Sequence, residues 1–316
     1  MTISQDAVNV RKVPNVTTNR KEMKVEENIE RISLNGNDCI IKPQVSLSSY
    51  TSYRVGGPAE WFVAPRSLES LEASVQYAKE HDLSITVLGA GSNLLIGDSG
   101  IPGLVIATRH MRHSNYDSET GRVTFAAGES IPALASAVAE RGWEGFEWAV
   151  GIPGTIGGAV VMNAGAHSSC IADILVSVEV LKPDGSLQTM TCEELNYSYR
   201  TSVLQGSDLI VTQATLQLQP GADPGVVTAR TKQHKKHRLA TQPYHLPSCG
   251  SVFRNPKPHS AGRLIEETGL KGFKIGQAQV AELHANFIVN CGGATANDIF
   301  NLIRHVQHQV QERWSI

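Results

Sequence analysis

Two glycine-rich stretches do most to limit what this chain can fold into: LGAGSNLLIGDSG from Leu88, and GIPGTIGGAVVMNAGA from Gly151 to Ala166. Glycines cluster between Gly89 and Gly158, where tight turns or close backbone approach to a ligand are expected. The first stretch follows the β-rich run SITVLG, as a dinucleotide fingerprint would, but Leu94 stands where a third glycine belongs and no long helix follows. A more general reading survives. Successive amides at Gly89, Ala90 and Gly91 make a concave nest for phosphate oxygens, and Ser92 and Asn93 add side-chain donors. A plain turn between strands fits the same residues. The second stretch lacks the Lys-Ser/Thr end of a Walker loop. Gly151, Pro153, Gly154, Thr155, Gly157 and Gly158 leave it neutral and nearly bare, suited to lie along a flat ring or a pyrophosphate. Thr155 would donate a hydroxyl, and Asn163 is a polar anchor in an apolar run. The alternative is a helix start packed closely on a sheet.

Around these loops the chain reads as alternating strands and helices. Thr51 to Pro65 is a turn and a strand, and Ser67 caps a helix with Leu68, Leu71, Val75 and Ala78 on one face. Ser130 to Arg141 is a second helix, with Pro132 in its first turn and Gly142 past its end. Ile174 to Met190 is a hairpin around Pro183, Asp184 and Gly185, and Asp208 to Leu218 a further strand. Asp223-Pro224 opens a basic helix, whose run TARTKQHKKHR reads as a solvated face rather than a diphosphate clamp. A closing helix from Asn297 carries Ile299, Leu302, Ile303, Val306 and Val310 at helical spacing. The resulting division is a flexible tail over 1–45, a β-rich unit over 46–220 and a smaller α+β unit over 221–316.

Charge and cysteine content narrow the function classes. Lys+Arg of 28 against Asp+Glu of 30 gives a net charge of -2, which favours neither nucleic acid nor an anionic membrane as partner. The five cysteines, Cys39, Cys170, Cys192, Cys249 and Cys291, include no CxxC pair, so neither a disulfide framework nor a metal site is expected. No run of about 18 apolar residues predicts a membrane span. A reducing cytoplasm fits these features, and Cys249 reads as packing because no activating base can be assigned to it.

YRVGGPAEW, LGAGSNLLI, WAVGIPGTIGGAVVMNAGAH, YSYRTSVL, CGSVFRNP, AGRLIEETGLKG and HANFIVN together resemble, in that order, the UDP-N-acetylenolpyruvoylglucosamine reductases. The resemblance runs from Thr51 to Trp314, in the subgroup without the extra tyrosine-bearing loop. It implies an α+β flavoprotein: a two-lobed FAD-binding domain of the PCMH/VAO-like type, its lobes meeting near residue 107, followed by the substrate-binding domain. FAD is implied to be non-covalent, so His110, His113 and His167 carry no flavin. Its contacts are implied at Arg54, Gly89, Ala90, Gly91, Ser92, Asn93, Gly151, Pro153, Gly154, Thr155, Gly157, Gly158 and Asn163. NADPH is the implied co-substrate and a UDP-sugar the substrate, with the chain working as a monomer.

The implied reaction reduces an enolpyruvyl double bond. Negative charge then develops on the neighbouring carbon and its carboxylate. Arg200 matches the family's catalytic arginine, and its permanently charged fork suits a carboxylate. Ser251 matches the proton donor, and Asn255 a substrate contact. In the family a strand after the last helix supplies a catalytic glutamate, and no residue up to Ile316 matches it. The expectation is therefore a chain cut short in its last domain, with a catalytically impaired FAD-binding protein as one alternative reading. A flavin oxidase of the same broad fold, acting on an alcohol or sugar, is the other.

Overall fold

The computed structural model describes residues 32–34 and 39–316. Its first sheet comprises β1 (Ile32–Leu34), β2 (Cys39–Ser46), β3 (Pro58–Val63), β4 (Ile85–Leu88) and β5 (Ile101–Ala107), in the order β1-β2-β3-β5-β4. β3 and β4 both run parallel to β5, so each link between them must cross over. From β3 the crossover is α1 (Leu68–Glu80), whose N-cap Ser67 accepts from Ser70 N and whose Leu71, Val75 and Ala78 are buried. From β4 to β5 the crossover is the first glycine stretch itself, which therefore leaves the sheet at the carboxyl end of a parallel strand. Open α/β sheets bind ligands at that edge.

Residues 39–45 do not belong to a tail. They form most of β2, paired antiparallel to β3, with Cys39 and Ile41 buried against Leu71, Ala78 and Leu104. Pro43, together with Gln44 at φ 52, breaks the alternation that would have marked this strand. Residues 1–31 and 35–38 lie outside the described residues.

The second sheet is antiparallel throughout. It contains β6 (Ser114–Asp117) and β7 (Arg122–Ala126), then, after the small hairpin β8 (Gly165–Ala166) and β9 (Ser169–Cys170), β10 (Leu175–Leu181), β11 (Leu187–Thr191) and β12 (Ile210–Gln217). Its order is β11-β10-β12-β7-β6. Two helices, α2 (Ile131–Ala139) and α3 (Ile156–Val161), bury Ile131, Leu134, Val138, Ile156 and Val160 in one core with Phe125, Val178 and Leu216 of the sheet.

The basic helix α4 (Pro224–Thr241) opens on Asp223, which caps Gly225 N at 2.7 Å. It packs chiefly on α2 and on the turn at 147–151. Arg230 fixes it there, 2.8 Å from Glu144 and 3.1 Å from the buried Glu147. The last unit holds α5 (Ala261–Glu267), a three-stranded antiparallel sheet of β13 (Lys274–Ile275), β14 (Ala278–Val280) and β15 (Ile288–Asn290), and α6 (Ala296–Trp314). Thr295 and Asp298 form a capping box for α6. Asp98, from the first lobe, accepts from Ala296 N and Asn297 N at 2.9 Å each. Tyr53, Val55 and Leu95 of the first lobe share a core with Ile299, Leu302 and Ile303 of α6.

Candidate active site

The three units enclose a cleft of about 3120 Å³. Gly89, Ala90, Gly91, Ser92 and Asn93 line it from the first lobe, and Pro153, Gly154, Thr155, Gly157 and Gly158 from the second. Arg200 is contributed by the loop before β12, and Ser251 and Asn255 by the segment before α5.

The first glycine loop takes its shape from partners outside itself. Gly91 sits at φ +63, where a Cβ would overlap the Tyr50 carbonyl, and its own carbonyl accepts from Ser52 N at 3.0 Å. The Cys249 thiol donates to Leu94 O at 3.1 Å. Burial pushes that thiol up to about 12, so it remains a neutral donor. Among the described residues, the amides of Ala90, Gly91, Ser92 and Asn93 make no hydrogen bond. The nest read from the sequence is thus open toward the cleft. The Ser92 hydroxyl is not free to donate, because it bonds Pro153 O at 2.7 Å and ties the two loops together.

The second loop is pinned to its own lobe. Ile131 N donates to Gly154 O at 3.1 Å, Ile156 N to Glu129 O at 3.0 Å and Gly157 N to Ala127 O at 2.9 Å. Thr155 is buried, yet among the described residues its hydroxyl has no hydrogen-bond partner. A Cβ on Gly89 would stand 2.6 Å from that oxygen, so only a glycine lets the two loops approach here. A buried hydroxyl without a partner costs about 1–3 kcal/mol.

Arg200 occupies left-handed backbone at φ 59. Such a conformation costs a side-chain-bearing residue roughly 1–2 kcal/mol and persists only where the surroundings enforce it. Here Gln205 Nε2 (2.9 Å) and Arg254 (3.1 Å) donate to the Arg200 carbonyl. Its guanidinium donates to Asn163 O at 3.1 Å and to Gly165 O, so the side chain is fixed at half-burial. Burial lowers its pKa from the usual arginine value, Tyr199 and Cys170 oppose the change, and Arg238 and Arg254 add to it. Arginine stays protonated through such a change, so a fixed positive charge faces the cleft.

Ser251 is exposed on the cleft wall and pairs in a single bridge with Phe287. Asn286 holds this segment: its carboxamide accepts from Phe253 N at 2.8 Å and donates to Phe253 O at 2.9 Å. Asn255 lines the cleft, with its Oδ1 accepting from Ala261 N at 3.0 Å at the start of α5.

Three residues expected at the cofactor do not line the cleft. Arg54 is exposed in a turn at φ 57. The Gly151 carbonyl accepts from Tyr244 Oη at 2.8 Å. Asn163 is buried, donating to Ser198 O and accepting from Ala172 N at 3.1 Å each, so it shapes the seat of Arg200. Conversely, His237, Arg238 and Thr241 of α4 line the cleft, whereas Lys232, Lys235 and Lys236 face solvent. The basic run is a solvated face on one side only. The signal was present in the spacing: 234, 237, 238 and 241 form one i, i+3, i+4, i+7 stripe.

Comparison with known proteins adds names to this geometry. Residues 59–191 match a family model described as an FAD binding domain, and residues 242–316 match one described as the C-terminal domain of UDP-N-acetylenolpyruvoylglucosamine reductase. The reductase of that name from Nostoc punctiforme is 69% identical over 316 residues, covering 100% of this chain and 95% of the relative. The one from Acaryochloris marina is 55% identical over 290 residues, covering 92% and 94%. The crystal structure of the Thermus caldophilus reductase superposes with a TM-score of 0.75 at 39% identity, covering 85% of this chain and 95% of that one. By sequence along its full length and by fold, the chain belongs to the UDP-N-acetylenolpyruvoylglucosamine reductase family.

Proposed function

We propose that this protein reduces the enolpyruvyl group of UDP-N-acetyl-3-O-(1-carboxyvinyl)-glucosamine to give UDP-N-acetylmuramate, using FAD and NADPH, in peptidoglycan precursor synthesis. The observation that carries the reading is a rigidly seated Arg200 and an accessible Ser251 in one cleft with both glycine loops. The residues fit FAD: the open amides of Ala90 to Asn93, the unpartnered Thr155 hydroxyl and the bare Gly89 beside it are what a pyrophosphate and a flat ring require. When bound, FAD supplies the two-electron exchange between NADPH and the substrate double bond. Arg200 holds the substrate carboxylate and the negative charge that grows there. Ser251 gives its hydroxyl proton to the carbon next to the carboxylate, where an enolate-like base is strong enough to take it. Asn255, with its Oδ1 committed to Ala261, contacts the substrate through its remaining polar capacity.

Residues 46–220 would hold FAD in two lobes that meet near residue 107, and the segment after 220 would take the substrate, with α4 lent to the second lobe. The protein would act as a monomer in the cytoplasm, and its net charge of -2 supports the reading that it has no nucleic-acid partner. No helix among the described residues is long and apolar enough to cross a membrane.

Stopped-flow absorbance tests the assignment. The purified protein is expected to carry a flavin spectrum that NADPH bleaches and the enolpyruvyl substrate restores. Arg200→Ala is expected to slow restoration by about 10²–10³-fold, the usual effect of removing one charge-stabilising donor. Bleaching by NADPH is expected to stay within a few-fold. Equal slowing of the two halves would remove Arg200 from the role given to it.

A further inference from the structure

The tip of the β8–β9 hairpin and the end of α4 gather cationic and titratable groups that the proposed reaction leaves unused. The hairpin has a two-residue turn, His167 (φ 52) and Ser168 (φ 65), both left-handed as that turn requires. It brings the His167 ring to 4.3 Å from His234 and 5.7 Å from His237, which lie one helical turn apart on α4. Arg238, the next residue, crosses Gly151 so closely that a Cβ there would overlap its Cδ. Its Nε donates to Tyr244 Oη at 3.0 Å, and that hydroxyl donates on to Gly151 O, so the guanidinium is oriented. Among the described residues its terminal nitrogens make no hydrogen bond, and none of His167, His234, His237 and Arg238 enters a salt bridge.

The groups facing His167 are the His234 and His237 rings and the Arg238 guanidinium. Burial and these neighbours hold its pKa below the ordinary imidazole value. His167, His237 and Arg238 line the cleft, and the charge of Arg238 reaches Arg200. Like charges assembled without an acidic partner are unfavourable alone and become favourable around an anion.

We propose that His167, His237 and Arg238, backed by His234, form a binding site for the phosphate groups of a nucleotide ligand. The proposal rests on the reductase reading, which brings two such ligands to the cleft, a nucleoside-diphosphate sugar and a nicotinamide dinucleotide phosphate. A bound anion favours the imidazolium form, so binding takes up protons. Affinity is therefore greater on the acid side of the histidine range and falls as pH rises through it.

The test uses the FAD-loaded protein and equilibrium binding, not turnover. UDP and NADP+ are each titrated by calorimetry at about pH 6 and about pH 8, on either side of the histidine range. The parent is compared with His167→Asn, which tolerates the left-handed turn, His237→Gln and Arg238→Met. For one of the two ligands, the parent should bind about tenfold more weakly at the higher pH. That pH dependence should largely vanish in both histidine variants, and Arg238→Met should weaken binding about tenfold at both pH values, the scale of a lost charge-assisted contact. Loss confined to UDP assigns the site to the sugar nucleotide, and loss confined to NADP+ assigns it to the reductant. The parent's affinity at each pH for both ligands, retained in variants that keep their flavin and their Tm, overturns the proposal. NADPH bleaching of the parent flavin checks the reductase reading by itself, so the two can fail separately.

Discussion

The loop at 89–93 and the loop at 151–158 both present bare backbone to the cleft, and they are held there by opposite means. Among the described residues, the first donates none of its amides from Ala90 to Asn93, and it is gripped from outside by Ser52, by the Cys249 thiol and by the crowding of Tyr50 against Gly91. The second uses the amides of Ile156 and Gly157 to bind its own lobe, with α4, Tyr244 and the Ser92 hydroxyl on Pro153 O as outside supports. One loop is a clamped but chemically open nest, and the other is a sheet-bound ledge that carries the Thr155 hydroxyl. The division suggests that charge recognition falls to the first loop and positioning to the second.

The largest expected effect comes from breaking the clamp. Gly91→Ala adds a Cβ into the Tyr50 carbonyl on left-handed backbone, and should cost more than about 3 kcal/mol and leave little folded flavoprotein in a urea titration. Gly185→Ala is the control, because it shares a positive φ but meets nothing within 4 Å. It should cost only about 1–2 kcal/mol. A smaller effect sharpens the ledge. Thr155→Val keeps the shape and removes a hydroxyl that satisfies nothing in the protein. The flavin-free protein should therefore be as stable as the parent or more so, while FAD dissociation measured by fluorescence titration rises about tenfold. A loss of stability in the flavin-free form would mean that the hydroxyl serves the fold. Smallest is Tyr244→Phe, which removes the link between Arg238 and Gly151. A cost near 0.5–1 kcal/mol in thermal unfolding is expected, with no change at the first loop.

Much of this contrast was legible in the sequence, and its gaps have physical causes. Both loops announced themselves because left-handed turns and close approaches select glycine. α1, α4 and α6 were marked by Ser67, Asp223-Pro224 and apolar spacing, signals that depend only on local chemistry. Strand β2 was hidden by Pro43 and by the left-handed Gln44. The β8–β9 hairpin was hidden because His167 and Ser168 fill positions where Asn-Gly would have been recognised. Nothing local to Arg200 or Ser251 distinguishes them. Arg200 is set by Asn163, Gln205 and Arg254, and Ser251 by pairing with Phe287, all of them relations of the folded chain. Only the ordered family motifs pointed to those two positions.

The core shared by Tyr53, Val55 and Leu95 with α6 bears on how the chain comes to be folded during synthesis. The Asn290 side chain donates to the Tyr53 carbonyl across 237 residues of sequence. Tyr53, fully buried in the finished molecule, lacks the α6 part of its core until Ile303 has left the ribosome, about 250 residues later. At ordinary elongation rates that wait is on the order of 10–50 s. The first lobe thus emerges early with an unfinished apolar flank. That flank closes when α6 emerges, so the last stretch of synthesis completes the first lobe.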